Sequence, residues 1–285
     1  MNKPDFIVIG ASKCGTSTLR TYLAQHPDIL MITKEVQFFS CDDIYELGLD
    51  WYESLFRTKD SRKIKGEISN LYTMKEVYPN SVTRLFKYAP SVKLIYCVRA
   101  PMSRIQSYWL EKRAHGGEEV HYDFNMAVKV NRDCLVDSTN YLQQINAYKE
   151  VFPDNQIHVI FFKDFIENPE EVMRQCFLFL GVNKDISLNS DSNSSNLHLG
   201  KTDGRLVPRS FLSKLRQYKI FRATVKFIPE VIRNYFKERV FFKKNIGKPV
   251  WKSETKEWVA NVLKADLAEF LSQYEKPQDF WDFES

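Results

Sequence analysis

Gly10-Ala11-Ser12-Lys13-Cys14-Gly15-Thr16-Ser17 is the stretch on which the fold turns. It follows the apolar run Phe6-Ile7-Val8-Ile9 and leads into Thr16-Ser17-Thr18, with Leu19, Tyr22 and Leu23 at helical spacing. A strand of buried type, a loop with two glycines and an amphipathic helix make a β-loop-α unit. In such a unit the loop N–H groups and the helix N-terminus converge on one point and favour an anion there, so we read a phosphate cradle. The two glycines have the spacing of an ordinary nucleotide P-loop, but that motif places Lys-Ser/Thr directly after its second glycine. Here Thr16-Ser17 follows Gly15, and the lysine stands inside the loop as Lys13. The usual grip on β- and γ-phosphates and magnesium is therefore missing, which weighs against a P-loop kinase or ATPase. That class, a non-catalytic nucleotide-binding protein and a plain β-α turn with an incidental lysine remain the alternatives.

Working outward, Val92 to Val98 is a second buried-type strand, followed by Arg99-Ala100-Pro101 and a helix through Ile105, Tyr108 and Trp109. A third strand, Ile157 to Phe162, follows a helical stretch from Tyr141 to Val151. It precedes a helix from Pro169 to Leu180 that Gly181 closes as a C-cap. Strands alternating with helices predict an α/β fold with a parallel sheet and helices on both faces. Residues 30 to 75 are less regular, and the Ser- and Asn-rich run from Asp185 to Asp203 reads as a long exposed loop. Helices are expected at 208–240 and 252–273, a C-terminal helical elaboration. No internal repeat is present.

The composition agrees with a globular chain. Of 285 residues, 44% are hydrophobic and 27% charged, enough for one large core and too apolar for disorder. The five cysteines have neither zinc-site nor CxxC spacing, so a reducing, cytoplasmic setting is expected. No apolar stretch approaches the ~20 residues of a membrane span. Between Arg205 and Lys256 there are fifteen Lys and Arg against three acids, a local charge of +12 in a chain whose total is +5. This basic segment reads as a packed amphipathic subdomain, as a lid over an acceptor site, or as an attachment to an anionic membrane or polyanion.

Arg99 at the end of the second strand and Ser107 on the helix after it are placed to grip a second phosphate, with Arg104 between them. Two such units describe a ligand with phosphates at both ends.

Four stretches resemble the sulfotransferases that use 3′-phosphoadenosine 5′-phosphosulfate, and among them the heparan-sulfate-type, N-sulfotransferase-like branch. Gly10 to Thr16 is similar to that family's 5′-phosphosulfate loop. Lys34-Glu35-Val36-Gln37-Phe38-Phe39, with Gly48-Leu49-Asp50-Trp51-Tyr52 and Phe56, resembles the segment of its catalytic glutamate. Val98 to Trp109, running on into Arg113-Ala114-His115, resembles its 3′-phosphate motif. Gly200-Lys201-Thr202-Asp203-Gly204-Arg205 resembles its late glycine-lysine loop. They occur in family order across about two hundred residues.

The resemblance implies a P-loop-like α/β fold and transfer of a sulfuryl group to a hydroxyl or amine. It implies that Lys13 meets the oxygen bridging phosphate and sulfate and that Glu35 is the base. Ser12, Cys14, Gly15, Thr16 and Ser17 would surround the 5′-phosphate. Arg99 and Ser107 would bind the 3′-phosphate, completed by Lys201, Thr202, Gly204 and Arg205. It also implies one sulfotransferase domain over 1–285, divided into a nucleotide-binding core (1–205), a basic helical lid or subdomain (206–250) and a C-terminal helix and tail (251–285).

The chemistry makes sense of these roles. In-line sulfuryl transfer takes a proton from the acceptor while charge builds on the leaving phosphate oxygen, so it needs a carboxylate on one side and an ammonium on the other. Sulfate carries less charge than a terminal phosphate, so Lys13 and fixed N–H donors should suffice and no metal is expected. Glu35, read without the family, is a surface carboxylate paired with Lys34. The aromatics around it would raise its pKa, and adjacent lysines would oppose the rise. Ile68 stands where polysaccharide-modifying relatives usually carry a lysine, which argues against a polysaccharide acceptor; Gln37 matches N-sulfating rather than O-sulfating ones, but one residue does not decide, so oxygen and nitrogen acceptors both stay open. The acceptor is expected to be a small molecule, a glycan or a lipid precursor, with no nucleic-acid partner. His26, His115, His121, His158 and His198 stand in no motif for a catalytic histidine, and His158 is expected to be a packed strand residue.

Overall fold

The computed structural model describes residues 3–32, 34–57, 64–114, 120–188 and 249–281. Five strands, β1 (Phe6–Gly10), β2 (Ile29–Met31), β3 (Ile64–Ile68), β4 (Lys93–Val98) and β5 (Ile157–Phe161), form one sheet in the order β2-β3-β1-β4-β5. Every pairing is parallel. Phe6, Ile7, Val8 and Ile9 are completely buried, as a central strand covered on both faces requires. The parallel α/β reading is therefore correct.

Eleven α-helices are among the described residues: α1 (Thr16–Leu23), α2 (Asp42–Tyr45), α3 (Leu49–Ser54), α4 (Ser81–Tyr88), α5 (Pro101–Ala114), α6 (Phe124–Val130), α7 (Arg132–Leu135), α8 (Tyr141–Lys149), α9 (Phe162–Glu167), α10 (Pro169–Leu180) and α11 (Ser253–Gln273). Gly181 closes α10 in the left-handed conformation, as expected. The stretch 30–75 holds two of the five strands. β3 is irregular only in sequence, because Ile-Lys-Gly-Glu-Ile has no apolar run. Gly66 lets it lie against β1, where a Cβ would stand 2.1 Å from the Phe6 ring.

The chain leaves β1 for one side of the sheet and later crosses back to β4 on the other. The strand order therefore reverses beside β1, and in open α/β sheets ligands bind outside the carboxyl ends of the strands at that point. The loop after β1 meets the end of β4 there, since the Ala11 N–H donates to the Cys97 carbonyl at 2.8 Å. α11 docks on α8, where the Asp266 carboxylate accepts from the N–H groups of Leu142 (3.1 Å) and Gln143 (2.8 Å), capping the α8 N-terminus. Burial among these elements pushes the Asp266 carboxyl up to about 6. Among the described residues no helix is long and apolar enough to cross a membrane. The expected loop from 185 to 203 lies outside the described residues beyond Leu188, as do the helix at 208–240 and nearly all of the basic segment.

Candidate active site

The loop between β1 and α1 folds as a cradle. Gly15, the residue before α1, takes φ 84°, and no side chain caps the helix, so its first-turn N–H groups face the loop mouth without a side-chain acceptor. A Cβ on Gly15 would meet the Phe162 ring at 2.5 Å, so this position needs glycine for both its backbone and its neighbour. Lys13 also takes a left-handed conformation, φ 69°, at the crest of the loop. Thr16 is buried and Ser17 is exposed at the start of α1. Ser12 and Cys14 turn inward. The Ser12 hydroxyl donates to the Asn70 carbonyl at 3.5 Å, and the Cys14 thiol lies 3.7 Å from the Ser12 carbonyl and 3.9 Å from the Tyr141 hydroxyl. Burial raises the Cys14 thiol pKa, with Arg104 first among the cations opposing the rise.

The loop is braced from α5. Arg104, wholly buried, donates through Nε to the Ser12 carbonyl at 3.2 Å. Through one terminal nitrogen it reaches the Leu135 carbonyl (3.2 Å), Ser138 Oγ (2.9 Å) and Thr139 Oγ1 (2.5 Å). Arg104 thus supports the loop from within. Arg99, at the end of β4, donates to the Lys13 carbonyl at 3.4 Å, and its guanidinium lies 4.9 Å from the centre of the Phe162 ring. Ser107 lies on the same helix as Arg104 and is partly exposed.

Glu35 follows β2 and stands across the cleft from this loop. Asn70 Nδ2 donates to its Oε1 at 2.6 Å and Gln37 Nε2 to its Oε2 at 2.8 Å, so each oxygen is held by a neutral amide. Its cation is Arg20, on α1 at 3.8 Å, rather than Lys34. The Glu35 side chain is 36% exposed, yet desolvation raises its pKa. Arg20 opposes the rise, Glu111 adds to it, and Gln37 and Lys13 lower it. Lys13 and Glu35 are therefore close enough to feel each other, and the Lys13 ammonium lies 3.4 Å from Glu111 on α5.

The turn that presents Glu35 is built around Gln37, which takes φ 56°. Its N–H donates to Ser69 Oγ at 2.9 Å and its Oε1 accepts from the Leu71 N–H at 3.3 Å. Its carbonyl accepts from the Ser40 and Cys41 N–H groups at 3.3 and 3.0 Å. A non-glycine residue in this region is held there by its surroundings.

The structure therefore sets Lys13 beside Arg99 and within electrostatic reach of Glu35, with Thr16 and Ser17 at the start of α1 after the same loop. Lys201, Thr202, Gly204, Arg205, His115 and His198 lie outside the described residues. His158 stacks on Phe179 at 5.1 Å, and burial lowers its pKa to about 4, so it is a packed residue as expected. Asn70, Arg20 and Glu111 received no role from the sequence. Asn70 lies two residues after Ile68, but nothing in one dimension shows that it bridges Glu35 and the loop. Among the described residues, no three His, Cys, Asp or Glu side chains are grouped to hold a metal ion.

A family model described as a sulfotransferase domain matches residues 3–274. The bifunctional heparan sulfate N-deacetylase/N-sulfotransferase of Drosophila melanogaster is 27% identical over 249 residues, which cover 72% of this chain and 23% of that protein. Heparan sulfate glucosamine 3-O-sulfotransferase 5 of Homo sapiens is 27% identical over 240 residues, covering 75% of this chain and 68% of that one. The chain thus spans about a quarter of the first relative and two thirds of the second. Among solved structures, a sulfotransferase from Alicyclobacillus acidocaldarius superposes with a TM-score of 0.66 at 22% identity over 98% of both chains, a likeness of fold.

Proposed function

The chain belongs to the sulfotransferase-domain family, and from that membership we propose that it moves a sulfuryl group from 3′-phosphoadenosine 5′-phosphosulfate to a hydroxyl or amine. One observation carries the reading: a carboxylate held through both oxygens, Glu35, shares a cleft with the ammonium of Lys13 at the crest of an uncapped helix-terminal loop.

In this reading Glu35 takes the acceptor proton as the nucleophile attacks sulfur, and Lys13 neutralises the oxygen released from it. Desolvation of Glu35 strengthens it as a base. The first-turn N–H groups with Thr16 and Ser17 hold the 5′-phosphate. Arg99 and Ser107 take the 3′-phosphate, with Lys201, Thr202, Gly204 and Arg205 closing from the late loop. Lys13 and fixed N–H donors meet the charge that develops, so the step calls for no divalent metal, and loss of turnover on chelation would contradict that.

The acceptor in this reading is a small molecule, a glycan or a lipid precursor. The five free cysteines suit a reducing compartment, so we place the activity in the cytoplasm, with subcellular fractionation as the check. The reading is tested by thermal unfolding with 3′-phosphoadenosine 5′-phosphate against ATP and magnesium, since a ligand stabilises only the fold that binds it. Stabilisation by ATP alone overturns it. Transfer of labelled sulfate to any acceptor, abolished by Lys13→Ala, separates an enzyme from a non-catalytic nucleotide binder.

A further inference from the structure

One ionisable group in the core has no part in the reaction as described. Glu67, on β3, is wholly buried. Its Oε1 accepts from the Tyr72 hydroxyl at 3.0 Å, and its Oε2 forms no hydrogen bond. Burying a carboxyl is costly, and apolar replacement of buried polar groups is often neutral or stabilising, so stability is a weak reason for a glutamate here. Its surroundings suggest another. The hydroxyl oxygen of Tyr72 accepts from the Phe39 N–H at 3.2 Å, at the far end of the turn that begins with Glu35. Two residues beyond Glu67, Ser69 accepts the Gln37 N–H, and Asn70 holds Glu35 itself. The segment from Glu67 to Tyr72 therefore grips the segment from Glu35 to Phe39 at Glu35, Gln37 and Phe39.

We propose that Glu67 is a positioning residue for the base: by accepting from Tyr72 it turns a lone pair of that hydroxyl toward Phe39 and so fixes the turn that carries Glu35. A Tyr hydroxyl has one hydrogen and can serve as acceptor for the Phe39 N–H only when that hydrogen points elsewhere. Glu67 Oε1 is where it points. Desolvation raises the Glu67 pKa to about 8, so near neutrality the group is an uncharged acid that accepts through Oε1. The inference rests on Glu35 being the base.

The test compares Glu67→Leu, Tyr72→Phe and Glu67→Gln with Glu35→Gln, measuring kcat, donor KM, affinity for 3′-phosphoadenosine 5′-phosphate and the pH dependence of kcat. Leu at 67 and Phe at 72 each break the relay, so kcat should fall by ~10-fold or more while donor KM and nucleotide affinity stay within about twofold. Gln at 67 still accepts through its amide oxygen and should restore at least a third of the wild-type kcat.

The pH profile separates positioning from mere support. Glu35 is faced by Arg20 from α1, Lys13 from the loop, Glu111 from α5 and the Gln37 amide. The Gln37 bond lowers the Glu35 pKa, so a loosened turn loses that effect and the acid limb of the profile moves to higher pH in Glu67→Leu and Tyr72→Phe. Wild-type kcat with an unmoved acid limb in both variants overturns the inference, and if Glu67→Leu does not fold, Tyr72→Phe decides it alone. Failure of Gln to restore more than Leu also overturns it. Full turnover in Glu35→Gln instead removes the base assignment on which it rests, whatever the Glu67 variants do.

Discussion

Substituting Gly15 by alanine tests the geometry of the loop at its tightest point. The residue sits at φ 84°, where an L side chain is strained, and its new Cβ would stand 2.5 and 2.6 Å from two Phe162 ring atoms. The left-handed conformation costs a non-glycine residue about 1–2 kcal/mol. Forcing an extra methyl against a packed ring typically adds about 1–3 kcal/mol. Together these predict roughly 2–5 kcal/mol of lost stability, a large share of the ~5–15 kcal/mol a domain holds. The functional effect follows from what Phe162 touches. The Arg99 guanidinium lies against that ring, so moving the ring moves the proposed 3′-phosphate ligand, and affinity for 3′-phosphoadenosine 5′-phosphate should fall by ~10-fold or more. Urea unfolding and calorimetric titration measure the two effects. Combining Gly15→Ala with Phe162→Ala isolates the clash: the double variant should recover the steric part and leave the backbone part, giving a favourable coupling of about 1–3 kcal/mol. A stability loss below about 1 kcal/mol with unchanged nucleotide affinity would show that the loop does not have this conformation.

Three further outcomes are expected. Glu35→Gln keeps one oxygen acceptor for its two amide donors and leaves the loop after β1 unchanged, so nucleotide affinity should stay intact while turnover falls by ~100-fold or more, and undiminished turnover removes Glu35 from the mechanism. Arg104→Met deprives the Ser12 carbonyl of its guanidinium donor, so nucleotide affinity should fall by roughly tenfold, with only partial recovery in Arg104→Lys because an ammonium cannot span Ser12 and the Ser138–Thr139 pair together; equal titration curves for Arg104→Met and wild type contradict the bracing role. The folded Glu67 titrates near 8 against 4.5 for an exposed glutamate, so between these values the folded state keeps a proton that the unfolded chain has lost, and the associated stability disappears as pH rises toward 8. The difference in urea midpoint between wild type and Glu67→Gln should therefore shift with pH across 5 to 9 in the direction that disfavours wild type, and parallel curves would mean that Glu67 is ionised throughout.

What could be read from the chain depended on whether an element's neighbours are close to it in sequence. β1, β4 and β5 are apolar runs bounded by turn signals, and the loop after β1 is contiguous, so the sheet core and the cradle follow from local pattern. β2 lies in the short apolar run Ile29-Leu30-Met31-Ile32 inside a stretch read as irregular, and β3 carries Lys65, Gly66 and Glu67, so β3 lacks the apolar run of a buried strand. They are strands because β1 and each other supply the ladder. The site divides in the same way. The candidates Lys13, Thr16, Arg99 and Glu35 stand in contiguous motifs, whereas Arg104 as a brace, Asn70 as a bridge and Arg20 as the counter-charge depend on partners 92, 35 and 15 residues away. The plain reading that pairs Glu35 with its neighbour Lys34 gives way to Arg20 for that reason, since the counter-charge comes from α1.

The same long-range contacts explain how a partly exposed carboxylate and a lysine are kept apart. On the proposed reading, a direct contact between Glu35 and Lys13 would neutralise both and leave neither free for the acceptor proton or the departing phosphate. The cleft avoids this with a second pair on either side. Glu111 holds the Lys13 ammonium at 3.4 Å, and Arg20 stands 3.8 Å from Glu35. Glu35 thereby keeps amide donors on both oxygens, which fix its direction without removing its charge, and Lys13 is tied by a partly exposed, solvent-screened contact that a phosphosulfate can outcompete. A base and an electrophilic cation in one cleft need such separate partners, because the attraction between them grows as water is excluded and would otherwise close the site on itself.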